Sequence, residues 1–234
     1  MTDQNIKTET KIKLLKAEKN MILLAIIAFI ILSIAEIMFF FAFIKHFNVV
    51  LIQFMIYIII STVFIGSAVW HIKHYRKYFS CSTGMMIGMT VGMMSGFMMG
   101  AIVGATNGMF IGSLVGLSTG IGIGVWCTRT CGIMSTLESM MAGLMSGTMG
   151  AMISVMLISD NILLFMPILI GICSTTLAGM SYMVYKEHEE HRENLAKYDK
   201  YDMAIYLSAM FMFAIILTAI MVWGPKSILT VTIV

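Results

Sequence analysis

The sequence predicts an all-α, polytopic integral membrane protein with about seven transmembrane helices. Of its 234 residues, 59% are apolar and only 12% are charged, whereas a soluble domain carries about 25% charged residues. The charges are also unevenly distributed, with none between Ser80 and Trp126. Finally, glycine recurs at every fourth position through much of that uncharged stretch. Together these features indicate helices that lie in lipid and pack closely on one another.

Runs of more than about 18 apolar residues indicate membrane helices, because about 20 helical residues cross a hydrocarbon core of ~30 Å. One helix from Gly84 to Trp126 would be about 65 Å long at 1.5 Å per residue, so the chain must turn within this stretch. The polar, turn-prone sequence at 105–108 is the best place for that turn. The predicted spans are 21–44, 48–70, 84–104, 108–126, 134–158, 162–185 and 203–223.

The basic residues predict the orientation and the domain organisation. With the N-terminus inside, all of the 15 lysines and arginines except Lys45 and Lys226 fall on the inner side, as expected for cytoplasmic loops. We therefore expect a basic cytoplasmic segment at 1–20, one transmembrane domain at 21–223 and a short outer tail at 224–234, in the cell membrane. The basic residues flank the spans rather than forming a stripe, so nucleic acid is not an expected partner.

The glycine register predicts a glycine zipper at the centre, formed by the third, fourth and fifth spans. Positions four apart share one helix face, and glycines on that face let another helix backbone approach closely. The register can serve packing alone, or it can line a path or an interface between chains, so we expect a homo- or hetero-oligomer through these faces. Its members are Gly84, Gly88, Gly92, Gly96, Gly100, Gly104, Gly108, Gly112, Gly116, Gly120 and Gly124, followed by Ser135, Ser139, Gly143, Gly147 and Ala151 in the fifth span.

Methionine is unusually abundant, with 26 in the chain. Met85, Met89 and Met93 follow the glycines of the third span by one position each, so their thioethers share one helix face. Thioethers and thiolates select Cu(I) over hard cations, although methionine also serves as a flexible filler in cores. Met-x-x-x-Met at Met85–Met93, together with Gly-x-x-x-Gly rows, resembles the Ctr copper permeases in these segments. That resemblance implies a copper path along the methionines.

Histidines and cysteines gather at the predicted inner ends of the spans. His71 and His74 lie about one helical turn apart, and Cys127 and Cys131 would do the same if their connection is helical. Cys81 lies just before the methionine row. Reduced thiols and imidazoles bind soft and borderline metals, so these residues are candidate metal ligands, with solvated interfacial residues as the alternative. Cys173, inside the sixth span, is expected to be a small apolar filler.

Two acids fall inside predicted spans, Glu36 in the first and Glu138 in the fifth. Ionised carboxylates are costly in hydrocarbon and usually face a bundle interior. Each is a candidate proton or ion relay, or a neutral acid bonded to a neighbouring helix. No nucleotide-binding or metalloprotease motif is present, and Gly116–Gly120 imitates a nucleophile elbow without its strand–turn–helix context. We therefore expect no enzyme.

The leading functional hypothesis is membrane transport or handling of a soft cation such as Cu(I), which would make copper the expected metal. The ion would follow Met85, Met89 and Met93 and meet the thiols and imidazoles at the inner face. One alternative is a non-transporting assembly subunit packed through glycine faces. Another is a proton or ion channel that uses Glu138.

Overall fold

The computed structural model describes Ile34, Met38 and residues 49–75, 81–129, 131–187 and 200–225. These residues form six α-helices: α1 Val49–Tyr75, α2 Cys81–Asn107, α3 Met109–Thr128, α4 Ile133–Met156, α5 Ile162–Glu187 and α6 Lys200–Trp223. A short 3-10 turn, Leu157–Ser159, follows α4. The described residues contain no β-strand. The predicted all-α membrane bundle is confirmed.

Each helix matches one predicted span; most extend a few residues beyond it, whereas α4 ends at Met156, two residues before the predicted limit. Five of them, α1 to α5, carry stretches long and apolar enough to cross a membrane, and α6 adds a shorter apolar stretch, Ala209–Trp223. The first predicted span, 21–44, lies outside the described residues apart from Ile34 and Met38, which are helical. The helices overrun the predicted limits because backbone hydrogen bonding continues past the last apolar residue.

Two glycines immediately precede helices, Gly108 before α3 and Gly132 before α4. Gly108 (φ 100°, ψ 172°) is the single residue between α2 and α3, and Gly132 (φ 98°, ψ 172°) precedes α4. This conformation is essentially restricted to glycine. The turn predicted at 105–108 is therefore confirmed, and Gly108 is the residue that lets the chain reverse within one position.

Helices α2, α3 and α4 form the centre of the molecule, with their small residues facing one another. A methyl group built on Gly116 would lie 2.8 Å from the Cα of Gly147 and 2.9 Å from the Cα of Gly100. Because real Cβ atoms are not found that close to backbone, only glycine permits this separation. Four three-residue layers result: Gly104, Gly112 and Ala151; Gly100, Gly116 and Gly147; Gly96, Gly120 and Gly143; Gly92, Gly124 and Ser139.

The layers keep one register throughout. In each, the α2 and α3 members are equally far from Gly108 in sequence, since Gly104 pairs with Gly112 and Gly92 with Gly124. The α4 member follows the α2 member by a constant offset, because α2 and α4 run in the same direction. Backbones in contact at every layer gain the close packing on which helix association in lipid depends.

Larger side chains fill the space between α2 and the outer helices. Helix α1 packs against α2, α5 and α6, while α5 also contacts α2. The apolar cluster between them includes Phe54, Met55 and Ile58 of α1, Leu177 of α5 and Leu217 of α6, together with Cys173, which is buried as expected for a filler. Of the most apolar stretch of α2, 67% is buried, against 33% for α5. Helix α2 is therefore the most central helix of the described bundle.

Asn107, at the end of α2, joins the centre to α6. Its side-chain Nδ2 donates a hydrogen bond to the carbonyl of Ile220 at 3.0 Å, and it accepts one from Thr106 Oγ1 at 2.9 Å. The same Ile220 carbonyl accepts the backbone N–H of Gly224 at 2.8 Å. Asn107 is therefore a second donor to this carbonyl, and it ties the end of α2 to the last turn of α6 in addition to occupying the predicted turn.

Candidate functional site: a row of sulfur ligands on α2

Four sulfur-bearing side chains lie on one face of α2 at intervals of four residues. They are Cys81, the first residue of the helix, followed by Met85, Met89 and Met93. The same spacing places them one above another, over about 18 Å at 1.5 Å per residue. Cys81 is exposed, and the three methionines are partly buried. We call these four residues the sulfur row.

The row runs beside the glycine face of α2 because each of its members lies three positions before a glycine of the register. These glycines are Gly84, Gly88, Gly92 and Gly96. Glycine packing thus fixes the rotation of α2, and the rotation places the thioethers at the flank of the three-helix centre. At the far end of the row the same face continues into Phe97 and then Ala101, whose backbone contacts Gly150 of α4. The row therefore ends where α2 and α4 close together.

The axis between α2, α3 and α4 is filled. The position of a missing Cβ on Gly92, Gly96, Gly100, Gly116 or Gly120 lies within 3.5 Å of backbone on a neighbouring helix. A path lined by the glycines themselves does not fit this packing, which corrects that part of the sequence interpretation. The glycine faces of α2, α3 and α4 contact one another, so they are covered by helices of the same polypeptide.

A second cysteine meets the exposed start of the sulfur row. The thiol of Cys81 donates a hydrogen bond to the carbonyl oxygen of Cys131 at 3.0 Å. The Sγ of Cys131 lies directly against Gly84, one turn into α2, and its Cβ is 3.1 Å from where a Gly84 Cβ would be. Residues separated by 50 positions in the sequence thus come together at one end of the bundle.

The local fold of the turn explains why Cys131 reaches α2. Helix α3 ends at Thr128, and the backbone N–H of Cys131 donates to the Thr128 carbonyl at 2.8 Å. Thr128 Oγ1 in turn lies 2.9 Å from Ser139 Oγ of α4. These bonds hold the connection from α3 to α4 close against the first turns of α2.

The other predicted ligands do not all lie beside Cys81 and Cys131. The connection from Cys127 to Cys131 is not helical, because α3 ends at Thr128 and Gly132 takes a positive φ, so the condition for one-turn stacking of the two thiols is not met. Cys127 is buried. His71 is partly buried on α1, and the side chain of His74 lies outside the described residues. Within the described part of the chain, no three His, Cys, Asp or Glu side chains converge at metal-binding distance.

The candidate relay acids differ in what the structure describes. Glu138 is partly buried in α4, one turn after Ser135. The hydroxyl of Ser135 is itself buried without a hydrogen-bond partner. Glu36 lies outside the described residues.

The structure also reveals a methionine face that the sequence analysis missed. Seven methionines of α4 are exposed: Met134, Met140, Met141, Met145, Met149, Met152 and Met156. Most recur at intervals of three, four or seven, the helical period, so the spacing alone would have grouped them. Unlike the sulfur row, this face has no thiol on it and points away from the centre.

No protein-family model, curated protein or solved structure matches this chain. Its described helices establish the architecture of a membrane protein, and the arrangement of its own side chains is the basis for the functional proposal.

Proposed function

We propose that the protein transports or handles a soft monovalent cation such as Cu(I) in the membrane. The observation that carries the proposal is the sulfur row, in which a thiol is followed by three thioethers on one face of α2. Soft sulfur ligands favour Cu(I) over hard cations. A chain of weak thioether sites suits a moving ion, because each site must release the ion to the next.

The position of the row supports this proposal over a path through the glycines. The centre is closed by backbone contacts, whereas the methionines at its flank are only partly buried and remain accessible to an ion. Methionine is also flexible and polarizable, so its sulfur can turn between a packed and a coordinating position. The exposed thiol of Cys81 would be the first ligand that the ion meets.

The proposal predicts that Met89→Leu with Met93→Leu abolishes uptake of Cu(I) by proteoliposomes, or lowers it at least tenfold. Leucine conserves the volume of methionine and usually costs less than about 1.5 kcal/mol, so the fold should persist while two sulfur ligands are lost. The matched control is Met141→Leu with Met145→Leu, which has the same spacing on the exposed face of α4 and should leave uptake within twofold.

Equal uptake by the wild type and the Met89/Met93 variant would show that the sulfur row is not the path. Absence of uptake by the wild type itself would favour the second candidate, an assembly or structural membrane subunit. That candidate is supported by the closely packed layers of α2, α3 and α4, which by themselves require no cargo. It expects no uptake by any of the variants.

A further inference from the structure

We infer that Cys81 and Cys131 together form a two-thiolate binding site for a soft monovalent ion at the start of the sulfur row. This inference rests on the proposed function in the choice of ion. It adds Cys131 as a ligand from a different part of the chain and sets the number of thiolate ligands at two. It also gives the turn between α3 and α4 a role in ion binding.

The first argument is the contact between the two cysteines. Cys81 Sγ lies 3.0 Å from the carbonyl oxygen of Cys131, and Cys131 Sγ lies against Gly84. Both sulfur atoms are therefore at the first turn of α2. For one ion to contact both sulfur atoms, the Cys81 side chain must rotate away from the carbonyl of Cys131.

The second argument is the number of ligands available. No third His, Cys, Asp or Glu among the described residues joins the pair. Zn²⁺ sites in proteins almost always use four ligands, or three with water. Two thiols with thioethers nearby offer a ligand set that favours the soft monovalent ion instead.

The third argument is charge. Binding forms two metal–sulfur bonds and releases the two S–H protons to solvent, without electron transfer, so the occupied site carries one net negative charge. Cys81 is the first residue of α2, and Cys131 lies two residues before the start of α4. The positive ends of the α2 and α4 dipoles are therefore close to the site and stabilise that charge, whereas the negative end of α3 at Thr128 opposes it. Exposure of Cys81 gives the ion access.

The glycine at position 84 makes the pair testable with both thiols retained. A Cβ there would collide with Cys131 Sγ, so Gly84→Ala must push Cys131 away from the first turn of α2. Gly179, on α5, has no atom of the described residues within 4 Å of its Cβ position. Gly179→Ala is thus the matched control for a helical glycine-to-alanine change.

The experiment titrates the reduced, purified full chain in detergent with Ag⁺, a redox-stable probe for a soft monovalent ion. Binding affinity and protection of each cysteine from maleimide are measured together. We expect one Ag⁺ to protect Cys81 and Cys131 at once. Cys81→Ser and Cys131→Ser should each weaken binding at least a hundredfold, and Gly84→Ala about tenfold, the range typical of lost support around a metal site.

Cys127→Ser, Cys173→Ser and Gly179→Ala should stay within twofold of the wild type. Independent protection of the two cysteines, unchanged affinity in both serine variants, or tighter thiol-dependent binding of Zn²⁺ than of Ag⁺ would each overturn the inference. Size-exclusion profiles establish that every variant is folded, and the serine variants decide the matter if Gly84→Ala does not fold.

The outcome is separable from that of the proposed function. Ag⁺ binding that needs both thiols, with uptake indifferent to Met89 and Met93, would sustain the site and refute the methionine path. Uptake that needs those methionines, with binding indifferent to the thiols, would do the opposite.

Discussion

The three-helix centre and the helices around it are packed with opposite kinds of residue. In the centre, Gly100, Gly116 and Gly147 bring backbones into direct contact. Around α1, fully buried Phe54, Met55 and Ile58 fill the space between helices. Lipid tails are as apolar as a leucine side chain, so in a membrane both regions depend on fit rather than on escape from water.

This difference teaches that the two regions fail in opposite ways. In the centre, the backbones are too close for an added methyl group. In the periphery, the buried side chains fill the space, so a truncated side chain leaves a cavity. Added volume should therefore damage α2, α3 and α4, and removed volume should damage α1, α5 and α6. Two substitutions test this contrast of volume, and a third compares buried hydroxyl groups in the two regions. They follow in order of decreasing expected effect.

The largest effect is expected for Gly116→Ala. Its new methyl group would meet only backbone, at Gly147 and Gly100, and backbone in packed helices cannot move aside. The expected loss is about 3 kcal/mol, the upper part of the range for overpacked sites, seen as a lower midpoint of thermal unfolding in detergent. Gly171→Ala on α5, where nothing lies within 4 Å, should change the midpoint little. Equal effects at both positions would contradict the contrast.

An intermediate effect is expected for Ile58→Ala in α1. Ile58 is fully buried, and its truncation leaves a cavity that its neighbours fill only in part. The loss should be about 2 kcal/mol, measured by the same thermal unfolding. Ile56→Ala is the control, because Ile56 is exposed on the same helix. If Ile58→Ala lowered the unfolding midpoint no more than Ile56→Ala does, the periphery would be loosely packed, which would contradict the contrast.

The smallest effect, and one of opposite sign, is expected for Ser61→Ala. The Ser61 hydroxyl is buried and has no hydrogen-bond partner among the described residues, so its removal should leave stability unchanged or raise it by up to about 1 kcal/mol. Ser139→Ala is the comparison in the centre, since that hydroxyl pairs with Thr128 Oγ1 and its loss should be destabilising. A clear loss of stability in Ser61→Ala would show that the Ser61 hydroxyl has a hydrogen-bond partner, which would contradict this prediction.

Much of the fold could be predicted from the sequence because membrane helices are specified locally. Uncharged runs locate the helices, and Gly108 marks the reversal between α2 and α3. The four-residue glycine period also identifies which helices approach closely. It does not identify which glycine opposes which, because a period describes one helix face and leaves the neighbour unspecified. The role of Asn107 at Ile220 was hidden for the same reason, since 113 positions separate the two residues.

The candidate site was predictable only in its linear part. Met85, Met89 and Met93 follow from spacing on a single helix, and Cys81 extends the same spacing. The meeting of Cys81 with Cys131 depends on where α3 stops and how Gly132 bends the chain, which are tertiary properties. The pairing of Cys127 with Cys131 depends on a helical connection between them, which the end of α3 at Thr128 rules out.

The symmetry of the layers about Gly108 has a consequence for changes in chain length. Each residue inserted into α3 after Gly108 would rotate the following residues by about 100° and carry every later glycine off the shared face. A single insertion would thereby replace the four layer glycines of α3 by the residues that precede them, Ile111, Val115, Thr119 and Ile123. Helix α3 should accordingly tolerate gains or losses of residues far less than the connection after α4 does, and its length is as much a part of the design as its composition.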